Sequence, residues 1–180
     1  MPRIQAIDPK SATGAAKDLL DKVTQKFGKA PNMMRTMAQS PAVLQGYLAL
    51  SAALDASSLT PRLREQIALA VAQTNHCEYC LAAHSTIGKM VGLPETEIAA
   101  ARRITSEDRK TEAALRFAQR IANQRGVVSD AEYDAVRAAG WTDAQIAEIV
   151  ATVSLNELTN YFNIVAQTEV DFPRAAALVG

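Results

Sequence analysis

Aromatic residues are scarce, making up 5% of this 180-residue chain. Strands favour aromatic and β-branched side chains in alternation, and no alternating stretch is present, which argues against a sheet. An excess of either charge is also missing, since nineteen basic residues balance nineteen acidic ones. Without a basic stripe or block, neither nucleic acid nor an anionic membrane is an expected partner. Charged or amide residues interrupt every alanine-rich stretch, so no apolar run approaches membrane-spanning length. Residues 1–8 lack the apolar core of a secretion signal, and the expected location is the cytoplasm. Cysteine and histidine are nearly absent too, at two residues each. In a reducing compartment, a close cysteine pair points to catalysis or metal binding rather than to a structural disulfide.

What the chain does have is helix formers. Hydrophobic residues make up 48%, enough for one compact domain over residues 1–180 without covalent staples. Ser11 is expected to cap a helix running to about Phe27, stopped by Gly28. A short helix follows over Pro31–Met37, then one from Pro41 through Leu54. Thr60 followed by Pro61 starts a helix ending near Thr74. Asn75 is placed to cap the next, with Glu78 completing a capping-box pair, up to about Val91 and Gly92. Pro94 opens a short helix, and further helices fit Glu107–Arg125, Ser129–Ala139 and Thr142–Gln167, the last breakable near Asn156–Asn160. The expected class is an all-α bundle of seven to ten helices. A weak internal echo at a shift of 83 residues lays Cys77 and Cys80 on Asn160 and Asn163, as if two similar helical units faced each other.

The chemistry concentrates in Cys77-Glu78-Tyr79-Cys80-Leu81-Ala82-Ala83-His84. At about 100° per residue, Cys77, Cys80 and His84 project within roughly 60° of one another on a helix. Histidine beside a thiol draws off its proton, and the thiolate is the nucleophile. A second thiol within one turn can condense with a sulfenic acid to a disulfide. Cys77 lies nearer the helix start and its dipole, whereas Cys80 lies nearer His84, so either can be the nucleophile on these grounds. Glu65, on the preceding helix, reaches His84 if the two helices fold back on each other, orienting the base in the manner of activated nucleophiles. A closed zinc site would need a fourth ligand, for which only His76 and Glu65 are near.

Glu65, Cys77-x-x-Cys80 and His84, in this spacing, resemble the signature of the alkylhydroperoxidase D / carboxymuconolactone decarboxylase family. The segment Pro31-Asn32-Met33-Met34-Arg35-Thr36-Met37 and the stretches Leu158–Asn163 and Asp171-Phe172-Pro173 resemble its flanks, so that the likeness covers about residues 25–175. It implies the all-helical alkylhydroperoxidase-D-like fold, assembled as trimers or hexamers. It also implies a peroxidase in which Cys80 attacks a hydroperoxide, Cys77 resolves the sulfenate, and His84 with Glu65 relays protons. A thioredoxin-like or lipoyl-bearing protein, or a small dithiol, would then reduce the disulfide, and no metal or organic cofactor is required. The best-known members carry histidine where this chain has Tyr79, whose hydroxyl can donate a hydrogen bond to substrate but is no base at neutral pH.

Two other functions fit the same residues. One is lactone decarboxylation, after the family name, which needs anion-binding groups and a proton donor rather than two thiols. The other is a redox-sensing oligomer without turnover. The cluster Met33, Met34 and Met37 is expected as core or interface filler ahead of a substrate-pocket role, Asn160 and Asn163 as helix–helix hydrogen-bonding residues ahead of lining the active-site cavity or a subunit contact, His76 as a polar residue at a helix start, and Trp141 as an apolar anchor.

Overall fold

The computed structural model describes residues 1–178 and, among them, nine α-helices and no strand. They are α1 (Gly14–Phe27), α2 (Asn32–Met37), α3 (Pro41–Asp55), α4 (Pro61–Thr74), α5 (Glu78–Met90), α6 (Glu95–Arg102), α7 (Arg109–Asn123), α8 (Asp130–Ala138) and α9 (Asp143–Ala166).

Several helix starts are set by side chains that satisfy otherwise unpaired backbone N–H groups. Thr60 accepts from Leu63 N at 3.2 Å, Asp108 from Thr111 N at 2.8 Å, and Ser129 and Thr142 form capping boxes with Glu132 and Gln145. Two expected caps differ. Ser11 sits in a turn in which its backbone N–H and its hydroxyl both donate to Asp8 O, and α1 starts after Thr13. Asn75 ends α4 instead of starting α5, because the turn between them needs two further residues.

The expected break in α9 does not occur; the helix runs unbroken for 24 residues. Its polar residues bond within it or across it without unwinding it. Asn156 Nδ2 donates to Thr152 O at 2.8 Å, and Thr159 Oγ1 donates to Asn156 O at 3.0 Å, local bonds a helix can hold without opening.

Helix α4 is the centre, packing against α5, α6, α7 and α9. From Gln66 to Ala72 every residue is buried, as expected of a helix covered on all sides. On one side Ile67, Leu69 and Val71 join Leu115 and Phe117 of α7 and Ile149 and Val153 of α9 in one apolar core. On the other, Ala72 meets a second core built from Leu20, Val23, Leu44 and the three methionines Met33, Met34 and Met37. Cys77 and Cys80 belong to that second core, so the thiols sit inside the protein.

Trp141, just before α9, is buried with Ile146, and its indole N–H donates to Lys110 O at 2.9 Å. That matches the hydrophobic staple across a helix start. No helix among the described residues is long and apolar enough to cross a membrane.

Candidate active site

The turn between α4 and α5 builds the site. Asn75 closes α4, and His76 then adopts φ +55°, left-handed backbone that costs a non-glycine residue roughly 1 kcal/mol or more. It reverses the chain so that α5 runs back along α4. Exposed His76 thus acts as the hinge of the turn. Cys77 follows in an extended conformation and is itself the cap of α5, its sulfur accepting from Cys80 N at 3.3 Å. Cys77 and Cys80 are joined by a disulfide, with 1% and 2% of their surface exposed.

The same reversal brings Glu65 of α4 beside His84 of α5, with Oε2 and Nδ1 2.8 Å apart. A carboxylate at this nitrogen holds the hydrogen on Nδ1 and leaves Nε2 to accept a proton. Both side chains are largely buried, at 16% and 21% exposure, and remain more open to solvent than the sulfurs. Among the described residues no hydrogen bond joins His84 to either sulfur.

Tyr79 lies between the cysteines in sequence, yet its hydroxyl is taken up by the chain itself. It donates to Asp171 Oδ1 at 2.9 Å and accepts from Met33 N at 3.1 Å. Its ring meets Phe172 edge to face at 5.8 Å. Asp171 also accepts from Asn32 N at 3.2 Å and pairs with Lys29 at 3.6 Å, so the segment after α9 is tied down over the start of α5. Burial, ahead of the neighbouring Asp171, pushes the Tyr79 phenol far above its ordinary value, against an opposing contribution from the Met33 N–H.

Two further side chains complete the site. Tyr47 of α3 is packed against the core holding the thiols. Its phenol is pushed up to about 12, first by burial, then by the negative charges of Glu65 and Asp55. Nothing local in the sequence marks a tyrosine 18 residues before a glutamate as its neighbour. Asn163 of α9, expected to bond between helices, sends Nδ2 to Cys80 Sγ at 3.4 Å. Asn160 does bond between helices, accepting from Asn75 Nδ2 at 3.1 Å. Cys80 and Asn163 are 83 residues apart, so residues matched by the internal echo touch across the structure.

The tyrosines give the site a measurable signature at high pH. Above pH 10 an unfolded chain releases phenol protons that the folded protein retains at Tyr47 and Tyr79, so stability falls as pH rises. The expected slope is about 1.4 kcal/mol per pH unit for each tyrosine, persisting for Tyr47 up to about 12. Urea unfolding between pH 8 and 11 measures it, and a Tyr47→Phe, Tyr79→Phe double variant should flatten it.

Two concave regions lie elsewhere. One, of about 740 Å³, is bounded by Arg62, Gln66, Glu97, Lys110 and Trp141. The other, of about 310 Å³, is bounded by Asn32, Arg35 and Asp171. Neither is lined by Cys77, Cys80, His84 or Glu65. Among the described residues no group of three or more His, Cys, Asp or Glu side chains is arranged to hold a metal ion.

The profile of the carboxymuconolactone decarboxylase family matches residues 41–124, the stretch that supplies Tyr47, Glu65, both cysteines and His84. Over that stretch the chain is similar to the carboxymuconolactone decarboxylase family. An uncharacterized protein of Haemophilus influenzae is 50% identical over 48 residues, a match covering 26% of this chain and 42% of that relative's length. The fold extends the likeness over nearly the whole chain. A peroxidase-related protein from Ralstonia eutropha JMP134, described as an alkylhydroperoxidase AhpD core, superimposes with a TM-score of 0.83 at 23% identity, covering 94% of this chain and 92% of that one. A peroxidase-related protein from Silicibacter sp. TM1040 gives 0.78 at 23% identity, with coverage of 92% and 91%. The debrominase Bmp8, in complex with 2,3,4-tribromopyrrole, gives 0.80 at 19% identity, with coverage of 93% and 91%. The architecture is therefore the alkylhydroperoxidase-D-like one, with the thiol pair in the stretch that is similar to the carboxymuconolactone decarboxylase family.

Proposed function

We propose that this protein is a thiol-dependent peroxidase acting on hydroperoxides, with Cys80 as the attacking thiol. The observation that carries the reading is the 2.8 Å contact between Glu65 and His84, on the helix pair that also holds the bonded Cys77 and Cys80. It combines a two-electron sulfur couple with an oriented base, the arrangement of an activated nucleophile.

In the first step the Cys80 thiolate attacks the terminal oxygen of R–O–O–H. The O–O bond breaks, Cys80 becomes a sulfenic acid, and the departing alkoxide takes a proton by way of His84 to leave as R–OH. Cys77, deprotonated in turn, attacks the sulfenic sulfur. Hydroxide departs with that proton as water, and the disulfide forms. An external dithiol then returns two electrons and two protons, becoming a disulfide itself; a thioredoxin-like protein, a lipoyl group or a small dithiol can serve. Glu65 stabilises the imidazolium each time His84 is charged. No metal or organic cofactor enters these steps.

In this reading the protein works in the cytoplasm as a homo-oligomer, a trimer or hexamer. The support for assembly is an apolar surface: Val43 and Leu50 of α3, with Val150, Leu158, Tyr161 and Val165 of α9, are all exposed. Helix α3 carries no charge before Asp55, yet buries only Leu44 and Leu54. Lactone decarboxylation would leave both thiols without a task, which favours the peroxidase.

Titrating the reduced protein with a hydroperoxide tests the proposal. One equivalent should be consumed per chain, with loss of both free thiols and a Cys77–Cys80 disulfide identified by mass spectrometry. Thiols that survive excess peroxide, with no turnover on several dithiol reductants, would sink it.

A further inference from the structure

The amide of Asn163 reaches across from α9 to the sulfur of Cys80, and only half of it is used. Nδ2 donates to Cys80 Sγ at 3.4 Å. Oδ1 is buried and has no hydrogen-bond partner, although the residue is only 4% exposed. One turn earlier, fully buried Asn160 accepts from Asn75 while its own Nδ2 is also unpartnered. Buried polar groups are ordinarily satisfied, so an orphaned carbonyl oxygen beside a reactive sulfur points to something that binds there.

The contact is worth least in the oxidised form. A disulfide sulfur is a weak acceptor, whereas a thiolate is fully charged, and hydrogen bonds to charged acceptors are about twice as strong as neutral ones. Removal from water strengthens them further. Asn163 therefore favours the state in which Cys80 is reduced and ionised.

We propose that Asn163 is a catalytic residue with two tasks: Nδ2 binds the Cys80 thiolate, and Oδ1 accepts the O–H of the incoming hydroperoxide. The oxygen bearing that hydrogen is the one the thiolate attacks, so a single amide holds both reacting partners. When the S–O bond forms and the O–O bond breaks, this oxygen passes to sulfur with its hydrogen, and the sulfenic acid keeps the bond to Oδ1. The alkoxide leaves on the far side and takes its proton by way of His84. The proposal rests on Cys80 being the attacking thiol.

The test uses full-length Cys77→Ser protein, in which Cys80 is the one thiol, with Asn163 intact, Asn163→Asp or Asn163→Leu. Alkylation by iodoacetamide is followed from pH 5 to 10, and circular dichroism checks the fold. Loss of the donor should move the alkylation midpoint up by about one unit in Asn163→Leu, a roughly tenfold loss of thiolate near neutrality. Asn163→Asp, close to isosteric, should move it further through like-charge repulsion, and it carries the test if the leucine variant does not fold. Sulfenic acid formation by hydroperoxide should fall about a hundredfold in Asn163→Leu, beyond the loss of thiolate, because the acceptor is gone too.

Equal midpoints in folded variants would overturn the thiolate contact. A peroxide effect no larger than the alkylation effect would overturn the acceptor role. Alkylation needs no peroxide, so a shifted midpoint in a protein that never reacts with hydroperoxide would fault the peroxidase reading and leave the Asn163–sulfur contact standing.

Discussion

Cys80→Ser protein is expected to lose peroxide turnover by a factor on the order of a thousand or more, with the fold retained. The nucleophile makes the first bond of the reaction, and a serine hydroxyl without a thiolate's charge or polarisability cannot replace it. Oxygen and sulfur differ little enough in size for the apolar core that holds Cys80 to close around either. Cys77→Ser should behave differently. Its first turnover proceeds, but the sulfenic acid at Cys80 has no partner, so a single equivalent of peroxide is consumed and a dimedone adduct appears on Cys80. Stopped-flow peroxide consumption and peptide mass spectrometry distinguish the two. If Cys77→Ser were dead and Cys80→Ser still formed a sulfenic acid, the two roles would be exchanged. Lactone turnover surviving both changes would move the protein to the decarboxylase reading.

The second large effect lies at Glu65. Glu65→Gln keeps the size of the side chain and a polar end near His84 Nδ1, but removes the charge that stabilises the imidazolium. General acid–base help of this kind contributes about 10²–10⁴-fold, so kcat/KM near pH 7 should fall by roughly a hundredfold. The variant carries an internal check, because Glu65 is also one of the charges holding Tyr47 up near 12. With that charge gone, Tyr47 ionises at lower pH, which ultraviolet titration of the tyrosinates will show. A drop in activity without a shift at Tyr47 would mean that Glu65 had moved or the site had collapsed. A shift at Tyr47 with full activity would remove Glu65 from the relay.

Much of this site was legible because it is local. Two residues separate Cys77 from Cys80 and three separate Cys80 from His84, so helical periodicity puts Cys80 and His84 on one side of α5, which Cys77 caps in an extended conformation. Thr60 and Ser129 announce helix starts because a cap acts on N–H groups three residues away. Where expectation and structure part, distant contacts decide. Asn75 was assigned to the start of α5 by its neighbourhood, but its side chain bonds to Asn160 and Glu157 on α9. The polar run Asn156–Asn160 looked like a weak point in a lone helix. It stays helical because Asn160 is spent on Asn75, while Asn156 and Thr159 bond within their own turns.

Tyr79 shows the same division. Its position between the cysteines suggested a hydroxyl available to substrate, whereas the structure commits that hydroxyl to Asp171, 92 residues away, and to Met33 N. Tyr47 carried no usable mark, whereas the internal echo had already laid Cys80 on Asn163. By itself the sequence determined most of the helices and the close spacing of Cys77, Cys80 and His84, because these depend on positions three or four residues apart. Only the tertiary structure decided that His76 reverses the chain, that Glu65 meets His84, and that Asn163 reaches Cys80. Those contacts depend on how separate helices pack, and no spacing within one helix encodes that.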